Sequence, residues 1–533
     1  MSEAATFDEL ICEFYKVWFR FHPVAALFAG VSGYEGLLAA DGDDDVGALA
    51  SWLCNLLVSL EELEYDALDA DRQLDMQLIF GAAMIEHRTL LECDWRHRDP
   101  AKYLPLRSLQ ELVVRQPEKF CAALQGILER TVEYLRTARG QLSELPELVS
   151  TLWLADALET AEAGVPWLKR LDRELPQTRE CCADLGRLKS LSSQAAEAIE
   201  DFHEFLVKDL APLAGGTSDC GPDLTDHLLR HRHQLELTGE DALHTARLLQ
   251  TQIQQQAEEQ GFSLERIQQE IRNETRVNGE ERIRAYREEA KRLKDFVIKQ
   301  ELLNPPEQGL EFAVTSHCFT KCECGSYLRS ATGGVFLIPD GWQLGGGESL
   351  ASIRLRSLYG GWAGRHYLAW AGGVHAHSLV RQINPSAAFK RGWAHYMSHL
   401  LEDRGYFNEQ DRLQLSQRRL ALAEQAVVDL EFHLGQISGI QALERLRDLS
   451  DLPGWAESTL TALSRRPTDA YMALLGASLM ESTRRIVMEQ QPELSQQDYH
   501  AQLLAHGAVS LPLVVKRVYG QEIWQRAMDE VLA

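Results

Sequence analysis

Asp8-Glu-Leu-Ile-Cys-Glu-Phe-Tyr-Lys-Val-Trp-Phe-Arg-Phe21 sets the texture of the chain. Leu10, Ile11, Phe14, Tyr15, Trp18 and Phe21 recur at three- and four-residue spacing, the period that lines up side chains on one face of an α-helix. Pro23 ends the run, because proline disfavours helical geometry in the residue before it, here His22. The same period recurs over long windows, and prolines number only 17 in 533 residues, so a mainly α-helical fold is expected. From Gly239 to Leu302, rows of Glu, Arg and Lys with a turn at Asn278-Gly279 predict a hairpin of long amphipathic helices. No heptad seam is sustained long enough for a coiled coil. The four aspartates between Ala40 and Gly47 predict a solvated loop, and the Gly-, Ser- and Pro-rich stretch Ala214–Pro222 predicts a connector.

The texture changes between Glu311 and Arg356. Gly333-Gly-Val-Phe-Leu-Ile-Pro-Asp-Gly341 reads as a short strand closing in a turn, and Gly345-Gly-Gly347 as a second turn. The expected fold class is therefore mainly α, a large multi-helix fold with a small β insert near residues 313–356.

Charge narrows the function. With 54 Lys and Arg against 79 Asp and Glu, the net charge is −25, which argues against a nucleic-acid partner and against docking on anionic lipid. No stretch approaches the ~18–20 apolar residues of a membrane span. The first fifteen residues carry acids and no apolar core, so no secretory signal is expected. Ten cysteines spread from Cys12 to Cys324 without a repeating spacing suit reduced thiols in the cytoplasm.

Five clusters could carry chemistry. His317, Cys318, Cys322 and Cys324 offer metal-ligand atoms, but a structural zinc site pairs two such clusters and only one is present. Gly345-Gly-Gly-Glu-Ser349 lacks the Gly-Lys-Ser/Thr ending of a phosphate-binding loop and is expected to be a turn. His395 and His399, at i and i+4, share one helical face as two zinc ligands must, yet Tyr396-Met-Ser398 between them supplies no general base. His375 and His377 are two apart, a spacing that suits a turn or strand end better than one helical face. Asp429 and His433, again at i and i+4, are either a carboxylate orienting a histidine or a surface pair.

Five segments in order resemble the bacterial domain of unknown function 885 family, which is similar to helical zinc peptidases of the gluzincin type. They are Ala371-Gly-Gly-Val-His-Ala-His-Ser-Leu379, Arg391-Gly-Trp-Ala-His-Tyr396, Val427-Val-Asp-Leu-Glu-Phe-His433, Pro467…Ala470…Gly476…Arg484, and His500…Leu504…Gly507…Leu511-Pro-Leu513. Near the N-terminus, His22-Pro-Val-Ala-Ala-Leu-Phe-Ala-Gly30 resembles the opening of that family. The resemblance implies one peptidase-like domain over 1–533, divisible into helical lobes 1–215 and 223–533 around a central cleft. It also places a metal histidine at Ala371, a catalytic glutamate at Gly372 and a glutamate ligand at Arg391, which leaves His377 alone of the ligand set. Positions that serve packing and turns, Gly392, Trp393, Pro467, Gly476 and Pro512, are kept.

A hydrolytic zinc site needs three protein ligands, a bound water and a base. The expectation is a catalytically degenerate member of the family with no cofactor, binding a small acidic ligand, a peptide or a protein in a pocket of His375, His377, Arg391, Tyr396, Asp429 and His433. Two alternatives stay open here. One is a zinc-dependent hydrolase with a rearranged histidine site, using His377, His395 and His399. The other is a non-hydrolytic metabolic enzyme reusing the cavity.

Overall fold

In a computed structural model, residues 2–171, 185–307, 309–315, 326–330, 333–339, 347–450 and 452–532 are described. His317, Cys318, Cys322, Cys324, Gly341, Gly345 and Gly346 lie outside them. The chain is mainly helical with two small sheets, and it divides into compact units Met1–Ser218 and Asp219–Ala533.

Numbering the long helices, the first unit contains α1 (Glu3–Phe21), α2 (Asp43–Glu61), α3 (Ala70–Glu92), α4 (Phe120–Glu144), α5 (Thr151–Leu168) and α6 (Leu185–Phe205). In α1 the apolar stripe buries Phe7, Phe14, Tyr15 and Phe19, and a second, two-turn helix starts at Pro23, whose missing N–H costs nothing in a first turn. The aspartate-rich loop is shorter than expected. Asp43, Asp44 and Asp45 form the first turn of α2, where carboxylates face the exposed N–H groups and positive end of the helix. Asp43 also pairs with the buried Arg96 at 2.6 Å.

The second unit contains α7 (Gly239–Glu259), α8 (Gly279–Lys299), α9 (Leu350–Gly360), α10 (Arg365–His375), α11 (Trp393–Asp403), α12 (Glu409–His433), α13 (Asp469–Gln490), α14 (Gln496–Leu503) and α15 (Gln521–Leu532). Both long amphipathic helices form, as α7 and α8 with a short helix, Leu264–Asn273, between them and a positive φ at Gly279, but instead of a hairpin α7 packs mainly on α12 and α8 on α9. The β insert is present with shifted bounds. Strands β1 (Gly309–Thr315), β2 (Ser326–Ser330) and β3 (Gly333–Pro339) make a three-stranded sheet in the order β1-β3-β2, with β1 parallel and β2 antiparallel to β3. Phe336 and Ile338, on one side of β3, bury against Tyr286 of α8 and Ile353 of α9. Residues 350–356 are helical rather than part of the insert, because the Ser349 hydroxyl accepts from the Ser352 N–H and starts α9 there.

Candidate functional site

The sequence landmarks of the C-terminal unit turn out to be joints between helices. A π-helical turn, Ala388–Gly392, leads into α11 and lies against the middle of α13. A Cβ on Gly476 would stand 2.7 Å from Ala388 Cβ, and one on Gly392 would stand 2.8 Å from the Ala473 carbonyl oxygen. Two glycines thus allow backbone-to-backbone contact. Trp393 is buried beside them, 6.2 Å centroid to centroid from Tyr367 and 5.3 Å from the His500 ring.

Tyr396 and His500 form a second joint. His500 Nδ1 lies 2.7 Å from the Leu302 carbonyl and must donate to it, so Nε2 accepts from the Tyr396 hydroxyl at 2.6 Å. Burial lowers the His500 pKa to about 4 and raises that of Tyr396, so both stay neutral.

Asp429 and His433 are buried completely. The Asp429 carboxylate accepts from the N–H groups of Thr468 (3.2 Å), Ala470 (3.0 Å) and Tyr471 (3.4 Å), and so caps the start of α13. Burial, reinforced by the charge of Asp469, raises its pKa to about 7 against the pull of those N–H groups. His433 Nδ1 accepts from the Cys220 N–H at 3.1 Å, which leaves Nε2–H to donate to the Leu463 carbonyl at 3.2 Å. Burial takes its pKa to about 4. The two side chains, 3.7 Å apart, are therefore neither a surface pair nor a charged dyad. Tyr396, Asp429 and His433 all spend their polar atoms inside the core.

The remaining expected residues lie elsewhere. Ala371 is 1 % exposed on α10, whereas a Cβ on Gly372 would meet nothing within 4 Å. His375 ends α10 and the exposed His377 follows it, with the His377 N–H donating to the His375 carbonyl at 3.0 Å, the turn expected from their spacing. Burial and the neighbouring His377 lower the His375 pKa. Arg391 sits in the π-helical turn one turn before His395.

His395 and His399 do share one face of α11, but they make separate contacts. His395 Nδ1 meets the Tyr359 hydroxyl at 2.9 Å, and His399 Nδ1 meets Glu481 at 3.1 Å. Among the described residues no three His, Cys, Asp or Glu side chains are grouped as metal ligands, so the rearranged site of His377, His395 and His399 is not formed. Among the described residues, then, this set does not fit zinc.

That face of α11 instead lines a polar groove. Its two cavities, about 420 and 330 Å³, share Gln256, His399, Arg419 and Glu481. Glu402 holds Arg412 at 3.1 Å and Arg419 at 2.7 Å; burial pushes its pKa up, and the two guanidinium groups outweigh that and lower it. The hydrogen bond from His399 keeps Glu481 ionised. His395 is driven well down in pKa by burial first, then by the positive charge of His399, Arg418, Arg419 and Arg391. The i, i+4 histidine spacing was the one sequence signal for this groove. Its other walls come from α7, α12, α13 and α15, whose convergence no local pattern reveals.

A mainly helical protein with a small sheet and a histidine-lined groove is the class that this geometry defines. The chain belongs to the family described as bacterial protein of unknown function (DUF885), which it matches over residues 23–518. Two solved structures share the fold. A "putative lipoprotein of unknown function" from Shewanella oneidensis has a TM-score of 0.70 at 15% identity, covering 96% of this chain and 99% of that one. A "putative lipoprotein" from Colwellia psychrerythraea has a TM-score of 0.77 at 13% identity, covering 97% and 99%. No curated protein matches the chain.

Proposed function

We propose that this chain is a catalytically degenerate member of its family, lacking the zinc centre that its resemblance to helical zinc peptidases implies, and that it acts by binding an acidic small molecule or a peptide. The observation that carries this reading is Gly372. Where the resemblance places a catalytic glutamate, α10 has a helical glycine facing open space, a residue that costs a helix about 1 kcal/mol relative to alanine and fills nothing. Ala371 has no ligand atom, and Arg391 is a permanent cation that cannot ligate zinc.

Protein purified without chelators is expected to contain no stoichiometric zinc and to cleave no peptide, measured by elemental analysis beside a peptidase assay. Stoichiometric zinc together with cleavage ends the reading. The triple variant Ala371→His, Gly372→Glu, Arg391→Glu tests the positional correspondence itself, because space for a side chain at 372 already exists. Failure of the folded variant to gain zinc affinity counts against that correspondence.

The same reading places the chain in the cytoplasm. Cys12, Cys54 and Cys93 are free thiols, as in a reducing compartment. All ten cysteines are expected to titrate as thiols in denaturant without added reductant. A deficit of two or more would point to an oxidising compartment.

A further inference from the structure

We infer that the groove between α7 and α11 is a carboxylate-binding site, in which Arg419 takes the carboxylate and the apolar half of the second cavity takes the body of the ligand. The argument starts with donors and acceptors. Each acid lining the second cavity is already paired: Glu481 with His399 at 3.1 Å, and Glu530 with Arg485 and with the Ser482 hydroxyl at 2.5 Å. The cations are not all used in this way. Arg419 gives Nη1 to Glu402, while its Nε and Nη2 are buried and have no hydrogen-bond partner among the described residues.

Those two nitrogens form one edge of the guanidinium, the side-on fork whose two parallel N–H groups match the two oxygens of a carboxylate. A buried donor without a partner costs about 1–3 kcal/mol. The Arg419 side chain is 14% exposed and lines both cavities, so a ligand in the groove lies against that guanidinium. The surroundings favour an anion. Burial first, and then the charges of Arg418, Arg419 and Arg391 nearby, depress the His395 imidazole on the groove wall. Beyond the fork, Leu249, Ile253, Leu422, Leu474, Ala477 and Val531 give the second cavity an apolar lining. At about 330 Å³ it is within the ~300–1,000 Å³ span of small-ligand sites. A carboxylate with an apolar body satisfies both halves, whether it is a free carboxylic acid or the C-terminus of a peptide.

This inference rests on the binding reading above and moves its site from the Arg391 neighbourhood to Arg419. Calorimetric titration of the full chain with octanoate, and with an apolar tripeptide bearing either a free or an amidated C-terminus, tests it. Saturable binding is expected of octanoate or the free-acid peptide, and the stronger of the two identifies the source. The amidated peptide should bind at least tenfold more weakly. Arg419→Lys keeps the charge facing Glu402 but removes the fork, and Ser478→Glu adds a negative charge to the cavity wall at a partly exposed position. Each is expected to weaken carboxylate binding at least tenfold in protein whose melting temperature is little changed. The inference is overturned if neither carboxylate binds, if the amidated peptide binds as well as the acid, or if both folded variants bind like the parent. Zinc-dependent cleavage would instead sink the degenerate reading and leave these titrations as they stand.

Discussion

Gly476→Val is expected to destabilise the C-terminal unit by about 3 kcal/mol or more, at or beyond the upper end of ordinary overpacking. The reason is where the new atoms would go. The first carbon alone would lie 2.7 Å from Ala388 Cβ and 2.8 Å from Ala388 Cα, and backbone cannot rotate away as the end of a flexible side chain can. Relief requires the π-helical turn to lift from α13, which also pulls Gly392 from its seat against Ala473. Buried Trp393, stacked on Tyr367, would lose packing in the same movement. Gly372→Ala is the informative contrast, a change at another helical glycine of the same unit with the opposite sign. No atom stands within 4 Å of the added carbon, so the helix gains up to about 1 kcal/mol from reduced backbone freedom in the unfolded chain. Urea titration of both variants, with hydrogen exchange localising the opening to residues 388–403, checks the pair. Equal effects would show that the glycine contact is not a structural joint.

These two glycines also show what could be read before the structure. Helical periodicity and scarce proline were enough for the fold class, because amphipathic spacing is a local property of each helix. The strand Gly333–Pro339 was legible for the same reason. The aspartate stretch was misread as a loop through Gly47 because acid clusters suit both solvated turns and helix starts. Landmark residues were recognisable as a set, yet their roles were not. Asp429 and His433 share a helical face, a spacing equally compatible with a surface pair, a catalytic dyad or, as found, a helix cap beside a buried neutral imidazole. Only the arrival of Thr468, Ala470 and Tyr471, some forty residues later in the chain, decides among these. The groove was hidden more thoroughly, since Arg419 pairs with Glu402, Glu481 with His399 and Glu530 with Arg485, each across separate helices.

Acid should unfold the C-terminal unit in a window set by its buried histidines. His433 and His500 have folded pKa values of about 4 against 6.5 for an exposed imidazole, and burial is the leading cause in both. A depressed histidine contributes stability that is fully present above pH 6.5 and is lost as pH falls through its folded pKa. Each shift is equivalent to about 3 kcal/mol at most, at 1.36 kcal/mol per pKa unit. Buried His233 and His395, both lowered well below the ordinary value, act in the same direction. Asp429 opposes them. Its folded pKa is raised to about 7 from 3.8, so its contribution is fully present below pH 3.8 and is lost as pH rises through 7. Between pH 6.5 and 4 the histidines outweigh the single carboxyl, and the net slope is a loss of several kcal/mol as the solution is acidified. His500→Gln removes one titrating group, while Gln can still accept from the Tyr396 hydroxyl. The variant is expected to be less stable than the parent at pH 7.5 but to lose about 3 kcal/mol less between pH 6.5 and 4. Asp429→Asn should do the reverse and steepen the acid loss, because the compensating proton uptake disappears with the carboxyl. Urea midpoints at half-unit pH steps, read in the full chain for parent and both variants, decide the matter. Parallel pH profiles for all three would mean that neither His500 nor Asp429 titrates differently in the folded and unfolded chain.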